Sequence, residues 1–123
     1  MDLIEIAKRM NHRINALTEA REEIQKLAQA KAQAISAYDK KIAVTIVKLK
    51  NGYEMELDGI VVKNPLTTIT EKIAKGICFQ EKLDMELAEA NYKAILSNMQ
   101  CLQAELNGYQ SINKYLKDEP GGQ

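Results

Sequence analysis

Positions spaced alternately four and three apart run through the first 49 residues as Leu3, Ala7, Met10, Ile14, Leu17, Arg21, Ile24, Ala28, Lys31, Ile35, Tyr38, Ile42, Thr45 and Leu49. An apolar heptad stripe held for nearly seven repeats fits one long helix packed along its length, because that spacing keeps one face turned to a neighbour. The stretch 17–37 is dense in Ala, Glu, Gln, Lys and Leu, all good helix formers. Arg21 and Lys31 interrupt the stripe with charge. Either their stems cover apolar surface while the charged heads reach water, or they fix register and partner choice.

Punctuation is sparse. Only two prolines and six glycines occur, which leaves room for few loops and favours long elements. There is no Trp and one Phe, Phe79, so a stripe of Leu, Ile, Met and Ala must hold the fold. With 46% hydrophobic and 28% charged residues and no net charge, the composition excludes a disordered polyelectrolyte. Its length suits one domain.

The segment 42–57 admits two readings. Val44, Thr45, Ile46 and Val47, then Asn51-Gly52 and the alternating Tyr53, Met55 and Leu57, form a β-hairpin pattern. Ile42, Thr45 and Leu49 nevertheless stay in phase with the stripe, and Asn51-Gly52 equally suits a helix C-cap. A helix over 2–50 is preferred, followed by a connector over 51–64. There Asp58-Gly59 precedes Ile60, Val61 and Val62, expected to tuck against the helices as a satellite core or else to form an exposed recognition patch.

Asn64 as N-cap with Pro65 at the first helical position predicts a short helix over 65–75. Thr68 with Glu71 offers a competing capping box. A bend is expected at Gly76, then a long helix over 77–117 with a frayed tail at 119–123. The last helix carries Leu83, Leu87, Ala90, Ala94, Ile95, Met99, Leu102, Leu106, Tyr109, Ile112 and Leu116, with a slip of seam near Ala94 and Ile95. Small residues Ala90, Ala94, Ser97, Cys101, Ala104 and Gly108 form a second stripe. The expected fold is all-α: residues 1–118 form a single domain, a long antiparallel, coiled-coil-like helical hairpin with a short helix in its connector. Helices of about 60 to 70 Å in a bare hairpin each pack only one face, so oligomerisation is expected to complete the fold.

Catalytic chemistry finds little support. His12 is the only histidine and sits off the stripe beside Arg13, as a solvated helix residue would. Glu81, Asp84, Glu86 and Glu89 lack the Glu-x-x-His partners of a bundle di-metal site. Cys78 and Cys101 are too far apart for a zinc knuckle or redox pair, and read as reduced thiols. Phosphate loops and the short hydrolase and metalloprotease signatures are missing. The expectation is a protein with no cofactor, no metal and no enzymatic activity. Met1-Asp2-Leu3 leads into a charged amphipathic stretch, and the longest apolar patch, 42–47, is far short of a membrane span, so a cytoplasmic location and no membrane partner are expected.

Nucleic acid is the competing partner. Lys40, Lys41, Lys48, Lys50 and Lys63 are candidates for a basic patch around the connector, with Tyr38 and Tyr53 available to stack on bases. Arg is confined to positions 9, 13 and 21, so the region lacks the guanidinium groups suited to bidentate phosphate and base contacts. Candidate protein-binding residues are Tyr53, Ile60, Val61, Val62, Ala94, Ser97, Cys101, Ala104 and Gly108.

The segment from Lys41 through Gly59-Ile60-Val61 to Ile69 and Gly76, followed by Phe79-Gln80-Glu81 and Ala88-Glu89-Ala90-Asn91-Tyr92-Lys93-Ala94, resembles small uncharacterised helical proteins of phages and prophages of Gram-positive bacteria. Leu102-Gln103-Ala104-Glu105 and Gln110-Ser111-Ile112-Asn113 belong to the same likeness, which covers about the last two thirds of the chain. Genes of that group often lie near early replication and recombination genes. The resemblance implies helices on both sides of a short connector, and a phage accessory or host-interaction factor that binds another protein. DNA binding in replication or recombination is the alternative, and no catalytic residue carries over.

Overall fold

A computed structural model describes residues 2–118. The order of elements is α1 (Leu3–Lys50), β1 (Met55–Leu57), β2 (Ile60–Val62), α2 (Thr67–Ile77) and α3 (Phe79–Asp118). The chain is mostly helical, with long α1 packing on long α3. It divides into a first unit, Met1–Leu27 with Asn91–Gln123, and a second, Ala28–Ala90. The tail expected to fray at 119–123 lies outside the described residues.

In the first unit, α1 starts where the Asp2 carboxylate accepts the Glu5 N–H at 2.8 Å and the Asp2 carbonyl accepts the Ile6 N–H at 3.0 Å. The side-chain bond satisfies an N–H with no intrahelical partner and sets negative charge at the positive end of the helix. Here the covered face of α1 is Leu3, Ile6, Met10, Arg13, Leu17, Ala20, Ile24 and Leu27. On α3 it is Tyr92, Ile95, Met99, Leu102, Leu106, Tyr109, Asn113 and Leu116. Both sets keep heptad spacing. The pairs Arg9 with Tyr109 and Arg13 with Glu105 show that the two segments run antiparallel.

These faces correct the sequence reading in phase. Ala7, Ile14 and Arg21 are exposed, and their preceding neighbours Ile6, Arg13 and Ala20 turn inward. Arg13 is therefore the charged residue within this seam: its stem covers apolar surface and its guanidinium reaches Glu105, lying 5.7 Å from the centre of the Tyr109 ring. On α3 the expected slip near Ala94 does not occur. Leu83, Leu87, Ala90 and Ala94 are exposed, and a heptad series from Cys78 through Glu81, Met85 and Ala88 to Tyr92 and Ile95 is covered instead.

The second unit contains the connector. α1 ends in a left-handed cap, with Gly52 at φ +80°; the Tyr53 N–H reaches the Lys48 carbonyl at 3.0 Å and the Gly52 N–H reaches that of Leu49 at 3.3 Å. This pairing satisfies carbonyls that a helix end leaves open. Asn51-Gly52 is thus a helix terminus, and residues 44–47 are helical, as the preferred reading had it. A hairpin does form, with its turn seven residues later. Asp58 and Gly59 take φ of 50° and 80° and join β1 to β2 in the register Met55↔Val62, Glu56↔Val61 and Leu57↔Ile60. Two consecutive positive φ angles define the tight primed turn whose twist matches the strands.

The start of α2 differs from expectation. Asn64 has φ 47°, not the extended conformation of an N-cap, and the helix begins at Thr67 behind Leu66 with no side-chain cap. Gly76 is inside α2, and the single-residue break before α3 falls at Cys78. Gly76 allows a close approach: a Cβ there would stand 3.1 Å from Leu57 Cδ1, so the Leu57 side chain would have to give by a few tenths of an ångström to keep β1 against α2.

Replacing Gly52 by Ala forces a side chain into the left-handed region and against Asn64 Oδ1, 3.3 Å from the added carbon. A loss of about 1 to 2 kcal/mol is expected, measured by urea denaturation. An unchanged midpoint would contradict this account of the helix end.

Candidate functional site

The second unit holds a group of polar side chains in contact between helices. Thr45 is 2% and Cys78 0% exposed; the Thr45 hydroxyl donates to the Lys41 carbonyl at 2.7 Å and lies 3.5 Å from Cys78 Sγ. One helical turn away, Lys41 Nζ donates to Glu81 Oε1 at 2.6 Å, while Glu81 Oε2 is buried without a hydrogen-bond partner. Lys82 Nζ sits 5.5 Å from the centre of the Tyr38 ring. Leu49, Ala74 and Thr70 complete the buried set of this unit.

Electrostatics fix the charge states of the central pair. The hydrogen bond from Lys41 holds the Glu81 carboxyl below its ordinary range, and the same bond raises the Lys41 ammonium above its own. Neither partner is poised for proton transfer or nucleophilic attack near neutrality, which needs a pKa brought toward the working pH. The pair acts as a clamp between helices.

Sequence-selected residues divide sharply. Tyr38 is 8% exposed beneath Lys82, so its ring offers no open face to a base. Lys41 is engaged with Glu81, and Lys63 pairs with Glu54 across the hairpin at 3.7 Å. Lys40, Lys48 and Lys50 are exposed. Lys41 and Lys50 lie nine residues, or about two and a half turns, apart, so they leave α1 on opposite sides, whereas Lys48 shares the side of Lys41, which is already engaged with Glu81.

Of the protein-binding candidates, Tyr53 is 59% exposed and Ile60 and Val61 are 66% each, whereas Val62 is half-buried. The satellite-core expectation for 60–62 fails because Leu57 of β1, rather than β2, seats the hairpin on α2 through Gly76. In the first unit Ala94, Ser97, Cys101, Ala104 and Gly108 are all exposed. A Cβ at Gly108 would meet nothing within 4 Å.

Sequence reasoning passed over Val44, Val47 and Phe79 as surface. With Ala43, Lys48, Asn51 and Tyr53, the two valines line a mostly apolar open depression. A second depression is formed by Leu57, Gly76, Ile77 and Phe79 with Glu56 and Asp58. The available signal was the apolar excess of 42–47, since one helix face cannot bury so many neighbours. Among the described residues no group of three or more His, Cys, Asp or Glu converges on a metal position, and no helix is long and apolar enough to cross a membrane. No known protein family, no curated protein and no solved structure matches this chain.

The clamp has a defined pH signature. Glu81, with a depressed pKa, contributes stability above its unfolded value and loses it as pH falls through the folded one; Lys41, with a raised pKa, contributes below its unfolded value and loses it as pH rises through the folded one. The stability gap between wild type and Glu81→Gln is therefore expected to be flat through neutrality, small because both partners meet solvent, and to shrink in acid. Denaturation across pH checks this, and a gap that grows in acid would exclude the clamp.

Proposed function

We propose that the chain is a non-enzymatic helical interaction protein that acts by binding another protein and by self-association. The observation that carries this reading is an imbalance within the second unit. Ten large apolar side chains there are exposed by 43% or more, among them Val47, Tyr53, Ile60, Val61, Leu66 and Phe79, while Tyr38 and Leu49 are the large apolar residues it buries. Scattered apolar residues at a surface are ordinary, but an exposed surplus over the core marks a surface that a partner covers.

The depression around Val44, Val47 and Tyr53 suits an apolar side chain of the partner, and Lys48 on its rim favours an acidic neighbour. A phage accessory or host-interaction role in the cytoplasm is part of the proposal and is supported by the residue likeness described above. The zero net charge and the pairing of Lys41 with Glu81 and of Lys63 with Glu54 argue against DNA as the direct partner.

Affinity capture from cells of the encoding organism tests the reading, with Val47→Lys/Tyr53→Lys as the comparison. The two side chains are 57% and 59% exposed, so the double variant should keep wild-type helicity and lose the captured partner at least tenfold. Equal capture by both proteins, or a partner released from wild type by nuclease, would overturn it.

A further inference from the structure

The two-stranded sheet has two outer edges, and they are chemically unequal. Leu57 and Ile60 flank a two-residue turn, so the antiparallel ladder alternates from a hydrogen-bonded pair there to a non-hydrogen-bonded pair at Glu56 and Val61. The main-chain N–H and C=O of Glu56 and Val61 therefore point out of the ladder. Outside the ladder, no main-chain hydrogen bond between described residues involves Val61. β1 lies against α2, whereas Ile60 and Val61 of β2 are each 66% exposed.

Charge separates the edges further. Two copies paired antiparallel along β1 about Glu56 would set Glu56 against itself and Glu54 against Asp58, like charges at every outward position. Two copies paired along β2 about Val61 place Val61 against itself and Ile60 against Val62. Lys63 then falls opposite Gly59 and beside Asp58 of the second copy, an attractive contact made twice by symmetry. Met55, Leu57, Ile60 and Val62 already share one face of the hairpin, and the pairing extends that face unbroken across four strands.

We propose that β2 is a homotypic docking edge: a second copy of this chain adds antiparallel along Ile60–Val62, giving a four-stranded sheet in the order β1-β2-β2-β1 centred on Val61. The inference rests on the self-association in the reading above and names its surface.

Sedimentation equilibrium of the full chain, compared with Val61→Pro, tests it. Proline removes the N–H that the second copy must receive yet spares the hairpin's own ladder, because at this position the N–H faces outward. Wild type should reach dimer mass, and the variant should dissociate with a constant at least tenfold weaker at unchanged helicity. Should the proline variant misfold, cysteine pairs decide instead. In a Cys101→Ser background, Val61→Cys should oxidise to a disulfide dimer, since directly opposed hydrogen-bonded residues stand about 5.5 Å apart, within disulfide reach, and Glu56→Cys should not. A proline variant as dimeric as wild type, or equal cross-linking at both positions, overturns the edge assignment and leaves association by another face. Monomeric wild type overturns self-association and edge together, while protein capture still judges the partner reading separately.

Discussion

Heptad burial of one face of α1 against one face of α3 is the constraint on which the rest depends. The buried residues are Ile6, Leu17, Ala20 and Leu106 in the first unit, and in the second Thr45 and Leu49 of α1 with Cys78 at the break before α3. Neither set is large. Helices of this length draw their stability from tertiary packing more than from propensity, so the polar contacts within the seams matter in proportion. Arg13 with Glu105 and Lys41 with Glu81 each place an ion pair between α1 and α3, one in the first unit and one in the second. Pairs of this kind add little stability, but they penalise a sliding register that would separate them.

The same economy explains the surface. A helix that packs one face leaves its opposite side free, and on α3 that side carries Phe79, Leu83 and Leu87 in the second unit and Ala94, Ser97, Cys101 and Ala104 in the first. The cap at Gly52 ends α1 and releases the chain into the hairpin, and Gly76 gives that hairpin its seat on α2. Two glycines with different physical duties therefore create the exposed strand. Gly52 supplies a backbone angle and Gly76 supplies room.

Helix lengths were legible because periodicity, propensity and end signals agree; the expected 2–50 corresponds to Leu3–Lys50 and 77–117 to Phe79–Asp118. The phase was not. Hydrophobicity favours Ile14 over Arg13 and Leu83 over Glu81, yet Arg13 and Glu81 face inward because each finds a partner across the seam. An ion pair between segments far apart in sequence leaves no local signal. Asn51-Gly52 and Asp58-Gly59 are interchangeable as turn dipeptides, and only the flanking context separates them: 42–49 keeps the helical stripe, whereas the residues around Asp58-Gly59 do not. For the site, exposure of Tyr53, Ile60 and Val61 was among the sequence alternatives. Burial of Tyr38 follows from its place in the stripe, against its use as a base-stacking residue, whereas the engagement of Lys41 was not legible, since it depends on Glu81 of α3.

The orientation of α3 is the central claim, and two thiols, Cys78 at the break just before it and Cys101 within it, report on it directly. Cys78 lies on the covered face at 0% exposure, and Cys101 lies on the open face. Titration of the native protein with a thiol reagent should modify Cys101 at the rate of a free thiol, and Cys78 only as fast as the second unit opens, with denaturant bringing the two rates together. A protected Cys101, or a Cys78 that reacts as fast as Cys101 in the native state, would contradict the seam on which the fold and its exposed surfaces rest.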